Sequence, residues 1–233
     1  MNYLNTNSLF ETVDNVSEAL LFDLKIEEEE RSAIANFIVN QQGKPYAYAA
    51  SYAPTAFDTK HDLILFTGER ITTNAGRFHM IAEEASRVLR SLNIADPKIH
   101  TSLKQTDDLL KGQINTYIEE GRYPFGMYCC KACSTAMWLN LSAGGLHNDT
   151  EMLRAGVEYL KNHRDGNGRW KGFHYYYSLY TLNEMDIEFS LKELKYTAPS
   201  VERLLKRKPA EDTRYQVRRN VILEQIIEKV NQN

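Results

Sequence analysis

The chain contains little of what marks the specialised classes of protein. Its 233 residues include only three cysteines, six prolines and twelve glycines, and the formal net charge is −3. This composition excludes collagen-like, disordered and strongly basic nucleic-acid-binding proteins. No apolar run approaches the roughly 20 residues that a membrane span needs. Residues 1–7 also lack the positive charge and apolar core of a signal peptide, so we expect a cytoplasmic protein.

The three cysteines stand close together, at Cys129, Cys130 and Cys133. An odd, clustered set cannot form an ordinary disulfide framework. On a predicted helix over 127–141, Cys129 and Cys130 would each share a face with Cys133. Three interpretations stay open: buried structural thiols, a zinc site, or a redox or nucleophilic cysteine. We favour buried thiols, because free cysteine is among the most buried residue types.

Apolar residues recur at helical spacing along most of the chain. They predict an all-α fold in a single domain, 1–233, whose antiparallel αα-hairpins stack as a partial α/α toroid or helical-repeat array. Segment 43–66 is the one place for a strand or an irregular aromatic stretch. The predicted helices are 27–42, 74–92, 103–120, 127–141, a helix capped by Asp149, 173–185, 187–196 (bent or interrupted before Pro199) and 217–230. Of these, 173–185 is apolar on all sides, which is typical of an interior helix.

Charge is spread unevenly along the chain. Residues 11–30 carry eight acids and one lysine, a net −7, whereas residues 195–219 carry eight bases and three acids, a net +5. No aromatic residues or known binding motif accompany the bases in the way that nucleic-acid recognition needs. We therefore interpret the two stretches as solvated helix faces that attract one another within or between subunits.

The segment 164–170, Arg-Asp-Gly-Asn-Gly-Arg-Trp, is followed by an aromatic helix. It resembles the repeat turn of the squalene-cyclase and protein-prenyltransferase superfamily, and the resemblance covers roughly 124–200. It divides the chain into a helical part of unrecognised type, 1–120, and prenyltransferase/cyclase-like hairpins, 121–233. It implies inner helices around an apolar cavity. The implied ligand-binding residues are Trp170, Phe173, Tyr176, Tyr177 and Tyr180, with Arg169 facing an anionic head group.

The same resemblance implies a zinc site. The segment 130–138 is similar to the one that supplies Asp and Cys ligands in prenyltransferase β subunits, and 173–177 is similar to the start of the helix that carries their zinc-binding histidine. By this match Cys133 is the thiolate ligand and His174 the imidazole, and Cys130 replaces the carboxylate. The family's Asp-x-Cys spacing is Cys-x-x-Cys here. The Cys, Cys, His set also resembles the ligand set of lanthionine-forming cyclases, but the Cys-His dipeptide of those enzymes is absent from this chain.

His79 and Glu83 stand one helical turn apart in the predicted helix 74–92. Such a pair can belong to a metal site when a second histidine follows at metal spacing. None does, so we interpret the pair as structural.

These observations predict a prenyltransferase- or terpenoid-cyclase-like helical protein that binds a hydrophobic or thiol-bearing ligand, with zinc activating a thiol or a water. The alternative is a non-catalytic helical-repeat module that binds a protein partner. An incomplete toroid would leave an open flank, which a homodimer would cover. We expect neither a nucleic-acid partner nor a membrane span.

Overall fold

The structure is a computed structural model that describes residues 2–207 and 213–233. Helices dominate these residues, and the all-α prediction is confirmed. The described helices are α1 (Leu9–Leu21), α2 (Glu28–Val39), α3 (Asn74–Ser91), α4 (Pro97–Glu119), α5 (Lys131–Ser142), α6 (Thr150–Lys161), α7 (Tyr175–Glu184), α8 (Ile187–Leu205) and α9 (Arg214–Gln232). The toroidal arrangement stays a prediction. No helix in the described ranges is both long and apolar enough to cross a membrane.

The segment before α3 holds what little strand there is among the described residues. Strands β1 (Leu63–Ile64) and β2 (Arg70–Ile71) pair antiparallel, with Leu63 opposite Ile71. A short 3-10 turn, Tyr48–Ala50, precedes them. Of the two alternatives predicted for 43–66, a strand or an irregular aromatic stretch, the segment contains a short strand, β1, whose partner β2 lies just beyond it.

Short polar side chains begin several helices by accepting hydrogen bonds from free backbone amides. Asp149 accepts from the amide of Met152 at the start of α6, as predicted. Asp96 does the same for the amide of Lys98, and Pro97 occupies the first turn of α4. A proline there is preorganised for a helix and has no amide to leave unpaired. Helix α4 therefore begins at Pro97, six residues before the predicted start at position 103.

The predicted interruption of the helix before Pro199 is wrong. Helix α8 continues through Pro199 to Leu205. Pro199 is exposed, so its ring lies on the outer face of the helix. On the opposite face Thr197 and Val201 are buried, and α8 packs along α9. Tertiary packing therefore overrides the local preference of proline.

Helices α5 and α7 form the interior of the molecule. Residues 133–141 of α5 are all buried, and eight of the ten residues of α7 are buried. The prediction of an interior helix over 173–185 is confirmed. Helix α5 packs against α3, α6 and α7, so side chains from α3 reach the residues at its beginning.

Helix α3 separates two hydrophobic cores. One face of α3, with Ile81 and Val88, packs against α1 and α2 in what we call the N-terminal core. Another face, with Met80 and Ala82, belongs to the central core around α5 and α7. The polar residues considered below lie where α3 faces α5.

The acidic beginning and the basic end of the chain meet within one subunit. Arg214 and Arg218 of α9 form ion pairs with Asp14 and Glu18 of α1. The predicted attraction between the two charged stretches is confirmed for these residues, but the prediction of solvated faces is wrong for Arg218, which is buried in the contact. Residues 208–212 of the basic stretch lie outside the described part of the chain.

Candidate metal centre

One histidine and two cysteines converge where α3 meets the beginning of α5. A ring nitrogen of His79 and the sulfur atoms of Cys129 and Cys133 all lie within 4.8 Å of one another. Cys133 is buried in the first turn of α5, whereas Cys129 and His79 are half-buried. Imidazole and thiolate groups at such separations can share one metal ion.

A tight loop before α5 positions the cysteines. Gly126 has a positive φ of 88° and lies against α6, where an added Cβ would stand 2.5 Å from the amide nitrogen of Gly156. Only glycine fits both the backbone conformation and this close approach. The carbonyl of Gly126 also accepts a 2.7 Å hydrogen bond from the indole of Trp138. The loop is therefore held to α5 and α6 just before Tyr128 and Cys129.

Helix α5 begins at Lys131, four residues later than predicted. Cys130 is its N-cap and has an extended backbone, with φ −65° and ψ 168°. Cys129 and Cys130 therefore precede the helix instead of sharing a helical face with Cys133. The extended chain is what allows two consecutive cysteines to approach the same buried sulfur.

Cys130 is the exposed member of the cysteine cluster. Its sulfur lies 3.4 Å from that of Cys133. With Zn–S bonds of about 2.3 Å, two thiolates on a tetrahedral zinc stand about 3.8 Å apart. The separation of Cys130 and Cys133 is close to that value, but the sulfur of Cys130 lies outside the group of atoms that are within 4.8 Å of one another. Cys130 could therefore supply a fourth ligand from the solvent side only after its side chain rotates.

Two tyrosines enclose the imidazole of His79. The ring of Tyr48 lies 3.9 Å from it and that of Tyr128 lies 5.7 Å from it, both measured between centroids. The Nδ1 atom of His79 is buried and has no hydrogen-bond partner among the described residues. Burial lowers the pKa of His79, so the ring is neutral at neutral pH. A neutral imidazole with a free nitrogen is the form that ligates metals.

The thiols influence one another's ionisation. Contacts with Cys129 and Cys133 lower the pKa of the Cys130 thiol. Contacts with Cys129 and Cys130, together with burial, raise the pKa of Cys133. Cys130 is therefore the first of this pair to become a thiolate as the pH rises.

A buried carboxyl group lies one helical turn beyond His79. Glu83 is fully buried, and its Oε2 accepts a 2.7 Å hydrogen bond from the amide of Asn140 in α5. Its Oε1, the hydroxyl of Tyr128 and Oδ1 of Asn140 have no partner among the described residues. Burial raises the pKa of Glu83 to about 8, so the carboxyl is protonated over much of the neutral range.

The resemblance implies a histidine ligand that is not a member of this group. His174 is the half-buried N-cap of α7 and does not belong to the group formed by His79, Cys129 and Cys133. Of the implied ligands, Cys130 and Cys133 are brought together. The zinc role of these residues stays a prediction.

The implied ligand-binding residues pack against several different elements. Trp170 donates a 2.9 Å hydrogen bond to Glu193 of α8, and Tyr177 donates to Glu84 of α3. Five pockets in the described part of the chain have linings that include none of the six implied residues. Other contacts include Tyr180 with Phe66, Phe173 with Trp138, Tyr176 with Arg219 and Arg169 with Tyr175.

The turn that carries the resemblance is well ordered by hydrogen bonds. Asp165 Oδ1 accepts from the amides of Asn167 and Arg169, at 2.7 and 3.0 Å, and so caps two backbone amides of the turn. Arg164 forms a 2.7 Å ion pair with the buried Glu193. The turn is thereby joined to α8, and Arg164 has a carboxylate partner within the chain.

Sequence reasoning did not connect His79 with the cysteines. The two segments are 50 residues apart, and the absence of a second histidine at helical spacing favoured a structural interpretation. The usable signal was the His79–Glu83 pair itself, because two ionisable groups one turn apart on a largely buried helix require polar surroundings. In comparisons with known proteins, no family model, no curated protein and no solved structure matches this chain.

Proposed function

We propose that the protein binds one zinc ion through His79, Cys129 and Cys133, and that Cys130 completes the coordination from the solvent side. The observation that carries this proposal is the convergence of three ligand atoms within 4.8 Å from two separate segments. The unpartnered, buried Nδ1 of His79 supports it, because buried polar atoms in native proteins are normally satisfied.

The ligand chemistry favours zinc over other common ions. Thiolate and imidazole ligands suit zinc, whereas magnesium and calcium prefer oxygen. Three cysteines and one histidine form a closed tetrahedral set of the structural kind. Such an ion would join α3 to the loop before α5 and would fix the beginning of the interior helix.

A second candidate function is the zinc-assisted activation of a thiol or a water, in line with the prenyltransferase- or cyclase-like activity expected from the sequence. Displacement of Cys130 would open the fourth coordination position to a substrate. Glu83 favours this candidate, because its buried carboxyl, one helical turn from His79, holds a proton in the neutral range and can donate it as a general acid. Zinc-loaded protein that alkylates a small thiol with an isoprenoid diphosphate, and a Glu83→Gln variant that does not, would support it.

The zinc proposal is tested by elemental analysis of protein purified without chelator or affinity tag. We expect close to one zinc per chain in the wild type. His79→Ala, Cys129→Ser and Cys133→Ser should each weaken zinc binding by more than about 100-fold, since even the loss of an outer contact costs 10- to 100-fold. His174→Ala is the matched control, and it should keep its zinc.

Circular dichroism of each variant separates the loss of a ligand from the loss of the fold. Folded wild-type protein without zinc after incubation with the ion would refute the proposal and would favour the non-catalytic interaction module. Loss of zinc in His174→Ala with retention in His79→Ala would replace the proposed ligand set with the one that the resemblance implied.

A further inference from the structure

The sequence Cys130-Lys131-Ala132-Cys133 places an exposed and a buried thiol at the beginning of one helix. Cys130, at the N-cap of α5, is exposed, and Cys133, in the first turn, is buried. Their sulfur atoms are 3.4 Å apart. A solvent-borne reagent therefore meets Cys130 first, and Cys133 is the thiol positioned to react with whatever forms there.

The two sulfur atoms need little movement to form a bond. A disulfide bond is about 2.05 Å long, so the atoms must approach by about 1.4 Å. Cys130 has an extended backbone outside the helix, and rotation of its side chain can supply this movement without disturbing α5. Cys129 and Cys133 are the alternative pair, but the sulfur of Cys129 is half-buried beside His79 and is less accessible to a reagent.

We propose that Cys130 and Cys133 react as a dithiol with small-molecule disulfides, and that their oxidation expels the metal. The proposal rests on the zinc site proposed above. The Cys130 thiolate attacks a disulfide such as oxidised glutathione, which forms a mixed disulfide and releases one glutathione thiolate. The Cys133 thiolate then attacks the Cys130 sulfur, which forms the internal disulfide and releases the second glutathione.

This sequence balances in atoms and electrons. The two zinc-bound cysteine thiolates lose two electrons, and one glutathione disulfide gains these electrons and two protons from water to become two glutathione thiols. A thiolate bonded to another sulfur no longer ligates zinc, so the site loses two of its four ligands. His79 and Cys129 alone are too few for a stable tetrahedral site, and the ion leaves. A dithiol reductant reverses the reaction and restores zinc binding.

The experiment follows zinc release and thiol count together while zinc-loaded protein is incubated with excess oxidised glutathione. A chromogenic zinc chelator reports the ion, and alkylation with mass spectrometry reports the thiols. We expect the loss of one zinc per chain, a fall from three free thiols to one, and full recovery of both after reduction and addition of zinc.

Trypsin identifies the bonded pair, because it cleaves after Lys131, between Cys130 and Cys133. A Cys130–Cys133 disulfide links two peptides, whereas a bond between the neighbours Cys129 and Cys130 stays within one. Two variants distinguish the remaining pair. Metal-free Cys129→Ser should still form the linked peptides, whereas metal-free Cys130→Ser should keep its two free thiols under the same oxidant.

Each outcome bears on one proposal in a recognisable way. Zinc that stays bound with three free thiols, a stable glutathione adduct, or linked peptides in Cys130→Ser would overturn the dithiol proposal and leave the zinc site intact. Protein that carries no zinc before oxidation would instead refute the zinc site, and with it the release of metal that depends on that site.

Discussion

Two helix contacts in this molecule bury charged groups, and they treat them in opposite ways. Where α9 meets α1, the side chain of Arg218 is 1% exposed, and each of its three guanidinium nitrogens has a hydrogen-bond partner. It donates to both carboxylate oxygens of Asp14 at 2.9 and 2.8 Å, to Glu18 and to the carbonyl of Phe66 at 3.0 Å. The ring of Phe66 lies 4.2 Å from the guanidinium carbon.

Where α3 meets α5, the buried polar groups are left largely unsatisfied. Glu83 has one partner, the amide of Asn140. Among the described residues, its second oxygen has none. Nearby atoms of Tyr48, His79, Tyr128 and Asn140 share this condition.

Arg218 shows how this fold satisfies a buried charged group, and the polar groups at the α3–α5 contact do not follow that pattern. An unsatisfied buried polar group costs about 1 to 3 kcal/mol, and satisfied groups such as those around Arg218 avoid this cost. A cluster of unsatisfied groups beside three thiols therefore lowers the stability of the folded state unless a ligand compensates it. A bound zinc ion with its hydrogen-bonded surroundings would account for part of it, which is why we place the function at the α3–α5 contact.

The largest effect that the comparison predicts is at Arg218. Among the described residues, Arg218→Ala leaves Asp14 and Glu18 with Arg214 as their one ion-pair partner. We therefore expect a loss of about 3 kcal/mol in the free energy of unfolding. Urea denaturation measures it. Arg203→Ala, an exposed position on α8, should change stability by less than about 0.5 kcal/mol.

Zinc content should be the same in both variants and in the wild type. A loss below about 1 kcal/mol at Arg218 would remove the contrast between the two contacts. A loss of zinc would show that the α1–α9 contact supports the site.

The next effect is a pH dependence at Glu83. Because burial raises the pKa of Glu83 from its ordinary value of 4.5 to about 8, the folded state holds a proton that the unfolded state has released between these values. Stability therefore falls as the pH rises through this window, by about 1 kcal/mol for each pH unit. Below pH 4.5 both states are protonated, and above pH 8 both are ionised, so the contribution is constant outside the window.

Glu83→Gln replaces the titrating carboxyl group with an amide that does not titrate, so the decrease of stability with pH should become smaller. Urea denaturation of chelator-treated protein at several pH values between 5 and 8 measures it without a contribution from metal. Glu224→Gln, at an exposed position of α9, is the matched control and should keep the wild-type slope. Equal slopes in wild type and Glu83→Gln would mean that Glu83 is ionised and that an undetected partner compensates its charge.

Much of the fold followed from periodicity and capping. The apolar surround of 173–185 correctly indicated an interior helix, and Asp149 correctly marked the beginning of α6. Errors arose where packing overrides local preference, as at Pro199, and where a loop replaces the expected first turn, as before Lys131. In each case the deciding contacts come from another helix, α9 for Pro199 and α6 for the loop before Lys131, and leave no pattern within the segment itself.

Only part of the candidate site could be predicted from the sequence, for the same reason. The cysteines are adjacent in sequence, so their proximity was evident. His79 reaches them only because α3 packs along α5, and a sequence pattern does not specify which two helices pack. The resemblance directed attention to His174 instead, on the basis of a turn whose glycines and aspartate meet the general requirements of a tight reversal.

The smallest predicted effect concerns two buried tyrosine hydroxyls, one with a hydrogen-bond partner and one without. The hydroxyl of Tyr177 donates to the carboxylate of Glu84, whereas that of Tyr128 has no partner among the described residues. Tyr177→Phe should therefore lower the free energy of unfolding by about 1 to 2 kcal/mol, because it removes a hydrogen bond to a charged group. Tyr128→Phe should leave stability unchanged or raise it, because it removes a hydroxyl whose burial is uncompensated.

Denaturation of the two variants, with and without zinc, measures both effects. Ring packing is the same in tyrosine and phenylalanine, so the pair isolates the hydroxyl groups. Destabilisation by Tyr128→Phe only in zinc-loaded protein would place that hydroxyl in the surroundings of the metal. Destabilisation in metal-free protein as well would give Tyr128 a structural partner, and the unsatisfied cluster would then lose one of its members.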